Sequence, residues 1–260
     1  MSTGAVERVA IVTGASRGIG RATAQRLARD FSATVLVARS ADKLEALAAE
    51  LATQGHRTLV VAADMSLPES ATLVVEKTVA AFGRIDAVIN IAGAVKQGGL
   101  FEMTDADWQD GLSLKFHGAR RLAIAAWPEL KRSKGTVVFT SGTSAITLKP
   151  ALVAIGTINA AISAMAKAFA EQGLADGVRV NSISPGPVLT DRRRVMLEKY
   201  AQSKNTPIAE AMESFAKETG ISRYGQPEDI AEFIGFLVSP LGEWITGSSF
   251  RIDGGEIKAV

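Results

Sequence analysis

The feature that most constrains this chain is a glycine-rich turn set between a strand and a helix. Val9-Ala10-Ile11-Val12 is a short apolar run that reads as a strand. Thr13-Gly14-Ala15-Ser16-Arg17-Gly18-Ile19-Gly20 follows, and a helical pattern begins within it. Gly14 permits a turn that a side chain would block. Gly18 lets a backbone approach a pyrophosphate, and Gly20 lets the helix pack close to the strand. The helix start then offers free N–H groups and the positive end of its dipole to phosphate. A glycine triplet alone carries little weight; between a strand and a helix, inside a βαβ unit, it marks a dinucleotide site.

The rest of the chain repeats that rhythm. Strands are predicted near Val9–Thr13, Thr34–Val37, Thr58–Ala62, Ala87–Asn90, Thr136–Thr140, Arg179–Ser184 and Ser249–Ile252. Helices are predicted near Gly18–Asp30, Ala41–Gln54, Pro68–Phe82, Asp105–Leu130, Val153–Leu174 and Pro227–Val238. Short apolar strands alternating with helices imply right-handed crossovers. The expected fold is α/β, a Rossmann fold: a doubly wound, seven-stranded parallel sheet with helices on both faces. No Ser/Gly/Pro-rich linker divides residues 1–260, so one dinucleotide-binding domain is expected.

Residues 190–219 break the alternation with a charged stretch. Ile208, Ala211, Met212, Phe215 and Ala216 recur there at helical spacing. A segment inserted at the C-terminal edge of a parallel sheet is placed to cover a ligand, so a small helical lid is expected; a surface helical hairpin is the plainer alternative.

Bulk properties exclude several classes. The net charge of +2 gives no electrostatic case for nucleic acid or an anionic membrane. The absence of cysteine removes disulfide and thiolate chemistry and fits a cytoplasmic setting. Residues 1–8 lack a signal-peptide pattern, and the apolar stretch 151–170 is interrupted by Thr157, Asn159, Ser163 and Lys167, so no membrane partner is expected. His56 and His117 lack metal-ligand spacing, so no metal site is expected.

The second strand ends at Val37-Ala38-Arg39-Ser40. An acidic residue there would hold the adenosine ribose hydroxyls of NAD. Arg39 stands there instead, with Arg17 in the glycine turn. Two guanidinium groups suit a 2′-phosphate, which favours NADP(H) over NAD(H).

Together with further segments, these residues resemble the short-chain dehydrogenase/reductase family in its single-domain form, over about Val9 to Gly255. Asp64-Met65 resembles the pair after the third strand that touches adenine. Asn90-Ile91-Ala92-Gly93 resembles the family's Asn-Asn-Ala-Gly segment, with Ile91 at the second Asn. Asn181-Ser182-Ile183-Ser184-Pro185-Gly186 resembles the stretch before the nicotinamide contacts, which implies that Pro185, Gly186, Val188 and Thr190 bind cofactor. Arg223 to Asp229 and Thr246 to Gly255 resemble the C-terminal signatures. The nearest flavour is that of 3-oxoacyl reductases and related sugar, steroid and alcohol dehydrogenases. The resemblance implies a small carbonyl or alcohol substrate and a homo-oligomer, tetramer or dimer.

The family works with an Asn, Ser, Tyr, Lys tetrad. Counting from the matched segments puts these positions at Lys115, Gly142, Ile155 and Asn159, so all four depart from the pattern. Ile155 has no proton to give. Gly142 lacks a hydroxyl, although Ser141, Thr143 and Ser144 flank it. Asn159 and Ile155 share a helix face. Asn159 is expected to hold the cofactor ribose, Ser141 or a neighbour to bind the carbonyl, and Lys115 to bring a positive charge into the same pocket from the neighbouring helix. The alternative for Lys115 is a side chain that snorkels to solvent or pairs with an acid at a subunit interface. Arg192-Arg193-Arg194 either grips an acidic substrate group or forms a solvated face. Tyr200, in the lid, is the less favoured replacement acid, and Tyr224 is expected to pack. Three functions fit: an NADP(H)-dependent oxidoreductase with an atypical site, an NADP(H)-binding sensor or assembly protein without redox chemistry, or an isomerase or lyase on the same fold.

Overall fold

The computed structural model describes residues 8–258. Seven strands form one sheet: β1 (Val9–Thr13), β2 (Ala33–Ala38), β3 (Arg57–Ala62), β4 (Ala87–Asn90), β5 (Thr136–Thr140), β6 (Arg179–Pro185) and β7 (Ser249–Ile252). The order is β3-β2-β1-β4-β5-β6-β7, and every pairing is parallel. Order reverses between β1 and β4, and that switch point opens a crevice at the C-terminal strand ends.

Alternation along β1 shows why both faces are covered. Val9 and Ile11 join one core with Leu122, Ala126 and Leu130; Ala10 and Val12 join the other with Leu27, Leu44 and Leu237. The helices are α1 (Gly18–Leu27), α2 (Ala41–Ala52), α3 (Ser70–Phe82), α4 (Asp105–Gly111), α5 (Ala119–Ser133), α6 (Val153–Asp176), α7 (Asp191–Lys204), α8 (Ile208–Thr219) and α9 (Pro227–Val238). The apolar helix α6 has the length and composition of a membrane span, yet it packs on β5 and β6 and buries Ile158, Ile162 and Ala166 in the first core.

Two sequence expectations change. The helix expected over Asp105–Leu130 is interrupted: α4 passes into π-helical turns at Leu112–Gly118 before α5 resumes. Widening the backbone to i→i+5 bonding turns the intervening side chains to new directions, and Lys115 is one of them. Residues 190–219 form two helices: α8 is the amphipathic helix expected for part of the segment, and α7 is added before it. The first is capped by the Thr190 hydroxyl, and Leu197 and Ala201 pack under the pair with Ala211.

Candidate active site

The crevice holds two adjoining depressions. The first, about 460 Å3, is a groove along the C-terminal ends of β1, β2 and β4. Its floor is backbone. The Thr13 hydroxyl accepts hydrogen bonds from the Ile91 and Ala92 N–H groups, each at 3.0 Å, and so ties the glycine turn to the segment after β4. Gly14 has φ +70°, and a Cβ there would sit 3.0 Å from the Ala92 nitrogen. A Cβ on Gly20 would overlap the Gly14 carbonyl, so the start of α1 can lie this close to β1 only with glycine. Of the residues the sequence puts forward for cofactor binding, Gly14, Ser16, Arg17, Gly18, Ile19, Gly20, Arg39, Asp64, Met65, Ala92, Gly93 and Thr190 line this groove.

The structure adds Ser40, Lys43 and Arg192 to that wall. Lys43 lies in the first turn of α2, where the side chain of a surface helix carries no motif. Arg39 approaches Asp64 at 3.8 Å. Burial works against ionisation of Asp64, but the Ser66 N–H and hydroxyl bonds, at 3.0 and 2.8 Å, and the Arg39 charge hold its pKa below the usual carboxylate value. Asn90 takes a different place. It is buried in β4, lines neither depression, and its amide finds no partner among the described residues.

The second depression, about 780 Å3, lies under the two lid helices. Ser141, Asn159, Pro185, Gly186, Val188 and Thr190 line it, with Gly142, Ser144 and Ile155. Ile19, Thr190 and Arg192 belong to both depressions, which therefore open into each other.

Lys115 lines neither depression itself but touches residues that line each of them. Its stem passes Gly93 of the groove, where a Cβ would stand 3.0 Å from Lys115 Cδ. Its ammonium then reaches the cavity wall and donates to the Asn159 Oδ1 and, at 3.1 Å, to the Ser141 carbonyl. No carboxylate lies within 4.0 Å of this ammonium among the described residues. Burial, and then the nearby Arg192 charge, push the Lys115 pKa down from 10.5 to about 7. Within this chain the lysine turns inward, to Asn159 and Ser141.

Two residues take other geometry than the sequence implies. The Ser141 hydroxyl donates at 2.8 Å to the Asn159 backbone carbonyl and accepts from Ser163 at 3.0 Å, so it is turned into α6 and its backbone carbonyl is the part that meets Lys115. Asn159 spends its amide inside the protein: Oδ1 accepts from Lys115 and Nδ2 donates to Ser144 Oγ at 2.8 Å. Ser144 and Thr143, neighbours of Gly142, line the cavity. Gly142 is required for this packing, because a Cβ there would lie 2.7 Å from Asn159 Nδ2. Tyr224 packs as expected, stacked on Phe215 with its hydroxyl donating to the Met212 carbonyl; the Tyr200 hydroxyl points to Glu218.

Comparison with known proteins places this geometry. A family model described as enoyl-(acyl carrier protein) reductase matches residues 14–256. The short-chain reductase protein NovJ of Streptomyces niveus is 31% identical over 249 residues, covering 96% of this chain and 94% of that protein. Oxidoreductase UcpA of Escherichia coli K12 is 32% identical over 251 residues, covering 95% and 94%. Among solved structures, L-sorbose reductase from Gluconobacter frateurii, complexed with NADPH and L-sorbose, superposes with a TM-score of 0.94 at 31% identity over 100% of both chains. YwfH, an NADPH-dependent reductase involved in bacilysin biosynthesis, gives 0.92 at 25% identity, covering 98% of this chain and 100% of that one. With the glycine turn, the sheet order and these matches in agreement, the chain belongs to the short-chain dehydrogenase/reductase family.

Proposed function

We propose that this protein is an NADP(H)-dependent oxidoreductase that interconverts a carbonyl and an alcohol, using Lys115, Asn159 and Ser144 in place of the family's Asn, Ser, Tyr, Lys tetrad. The observation that carries the reading is the Lys115 ammonium bonded to Asn159, which lines the cavity beside Ser144.

The groove fits a dinucleotide on its own residues. Gly14, Gly18 and Gly20 leave backbone room where a Cβ would intrude, and the α1 N-terminus faces that space. Arg17, Arg39 and Lys43 gather three positive charges on one wall, a match for the 2′-phosphate of NADP(H). Both reductases described above carry NADPH in name or complex, which supports the same choice here. When bound, the nicotinamide supplies or accepts the hydride.

The side chains then have distinct tasks. Ser144 Oγ accepts from Asn159 Nδ2, so its own proton is free to be donated to a carbonyl oxygen in the cavity. Asn159 links that hydroxyl to the Lys115 charge, which strengthens the donor as negative charge develops on the oxygen. An ammonium has three protons, and two go to Asn159 and Ser141. The third is available for transfer, and a pKa of about 7 lets Lys115 give and regain it near neutral pH. Ile155 contributes an apolar wall and no proton.

Purified protein supplied with NADPH and a panel of ketones and aldehydes tests this. Oxidation of NADPH is expected, with a fall of roughly 10²–10⁴-fold in kcat for Lys115→Met, the range that acid–base assistance supplies. NADPH that binds but is never oxidised by any carbonyl would contradict the proposal.

A further inference from the structure

The far wall of the cavity holds two groups that the proposed chemistry leaves idle. Arg193, in the first turn of α7, lines the cavity, and its guanidinium has no hydrogen bond and no carboxylate within 4.0 Å among the described residues. It lies over the face of Phe215, 5.6 Å from the ring centre, and within reach of the charge of Glu256. Glu256, after β7, lines the same cavity, and its Oε2 is buried with no partner among the described residues. A buried carboxylate oxygen without a hydrogen bond is unfavourable, and the guanidinium whose charge reaches it has donors to spare, so the pair has room for a third party. The other acid on this wall is engaged: Glu218 accepts from Tyr200 at 3.4 Å and from Ser214 at 3.2 Å.

The two idle groups ask for opposite things. Arg193 only donates, and Glu256 only accepts. A carboxylate on the substrate would satisfy Arg193 but would stand against Glu256. An alkyl group would satisfy neither. A hydroxyl accepts from one and donates to the other. Thr143, Thr147 and Thr219 line the same space; the Thr147 and Thr219 hydroxyls donate to backbone carbonyls and keep their acceptor capacity.

Resting on the reductase reading above, we infer that the substrate is a hydroxylated ketone, with its carbonyl at Ser144 and a hydroxyl held between Arg193 and Glu256. The cavity then selects against plain ketones by leaving this pair unsatisfied, a discrimination of the kind that buried polar groups produce.

A matched four-carbon set tests the inference: erythrulose, 2-butanone and 2-oxobutanoate, each with NADPH. Erythrulose is expected to exceed 2-butanone in kcat/KM by roughly 10–100-fold, the worth of one hydrogen bond to a charged group. Glu256→Gln and Arg193→Gln should each bring that ratio toward one. Equal or better turnover of 2-butanone would overturn the inference, as would a preference for 2-oxobutanoate that Glu256→Gln increases. Melting of the NADPH-loaded protein separates this from failure of the catalytic reading. If nothing is turned over, stabilisation by erythrulose but not by 2-butanone, lost in Glu256→Gln, still supports the hydroxyl site. No stabilisation by erythrulose overturns it.

Discussion

The groove and the cavity adjoin through Ile19, Thr190 and Arg192, yet they are built from different materials. The groove is a backbone surface. Its shape comes from glycines whose missing side chains let β1, α1 and the segment after β4 approach one another, and its charge comes from basic residues on the rim. The inner cavity is a side-chain assembly in which Lys115, Asn159 and Ser144 hold one another, and Gly93 and Gly142 matter as the spaces those side chains occupy. Backbone surfaces tolerate few replacements but keep one function. Side-chain assemblies are exchanged as sets, since each member is shaped to its neighbours.

The two regions should therefore fail differently. The largest effect is expected for Gly20→Ala. Its Cβ would meet the Gly14 carbonyl, and strain of about 3 kcal/mol predicts at least about a 100-fold loss of NADPH affinity, read by equilibrium dialysis. Gly142→Ala should spare NADPH binding. It pushes Asn159 Nδ2 from its present position and is expected to lower kcat by roughly 10–100-fold, as small misplacements of reacting groups do. Equal effects of the two changes on cofactor affinity would erase the distinction between the regions. Arg39→Ala should weaken NADPH binding about tenfold, the low end for a hydrogen bond to a charged group, because Arg39 is exposed and shares its charge with Asp64; NADH affinity should barely move.

A further effect is one of stability. The folded-state pKa of Lys115 lies near 7, below the 10.5 of the free side chain, so the unfolded chain binds more protons between those values. Stability from this group is complete above 10.5 and is lost as pH falls toward 7. Melting of the cofactor-free protein should therefore drop across that window relative to Lys115→Met, and the two curves should converge as pH rises.

Much of this architecture is legible in the residues. Strand bounds agree within one residue at each end, because buried parallel strands are continuous apolar runs. The groove follows from glycine spacing, since a missing Cβ constrains its surroundings whatever the rest of the sequence. The π-helical turns at Leu112–Gly118 left no such mark. One added residue per turn depends on packing against neighbouring elements, among them the close passage of Gly118 over the Met65 carbonyl. The choice between Ser141 and Ser144 was equally hidden. Both hydroxyls flank Gly142, and only the three-dimensional course of β5 into the following turn decides which one meets α6 and which one meets the cavity. Lys43 is silent for another reason, one that also left Arg193 open between substrate and solvent: a basic residue in a first helical turn looks the same whether it faces solvent or a cavity.

The account depends most on one buried amine. The pH dependence of single-turnover NADPH oxidation, measured on the wild type and on Lys115→Met with a ketone the wild type reduces, tests it directly. The wild-type rate should be level at acidic pH and decline through a single ionisation near 7, while the much slower variant should show no break there. Matching profiles and matching rates in the two proteins would contradict the assignment of Lys115 to the chemistry.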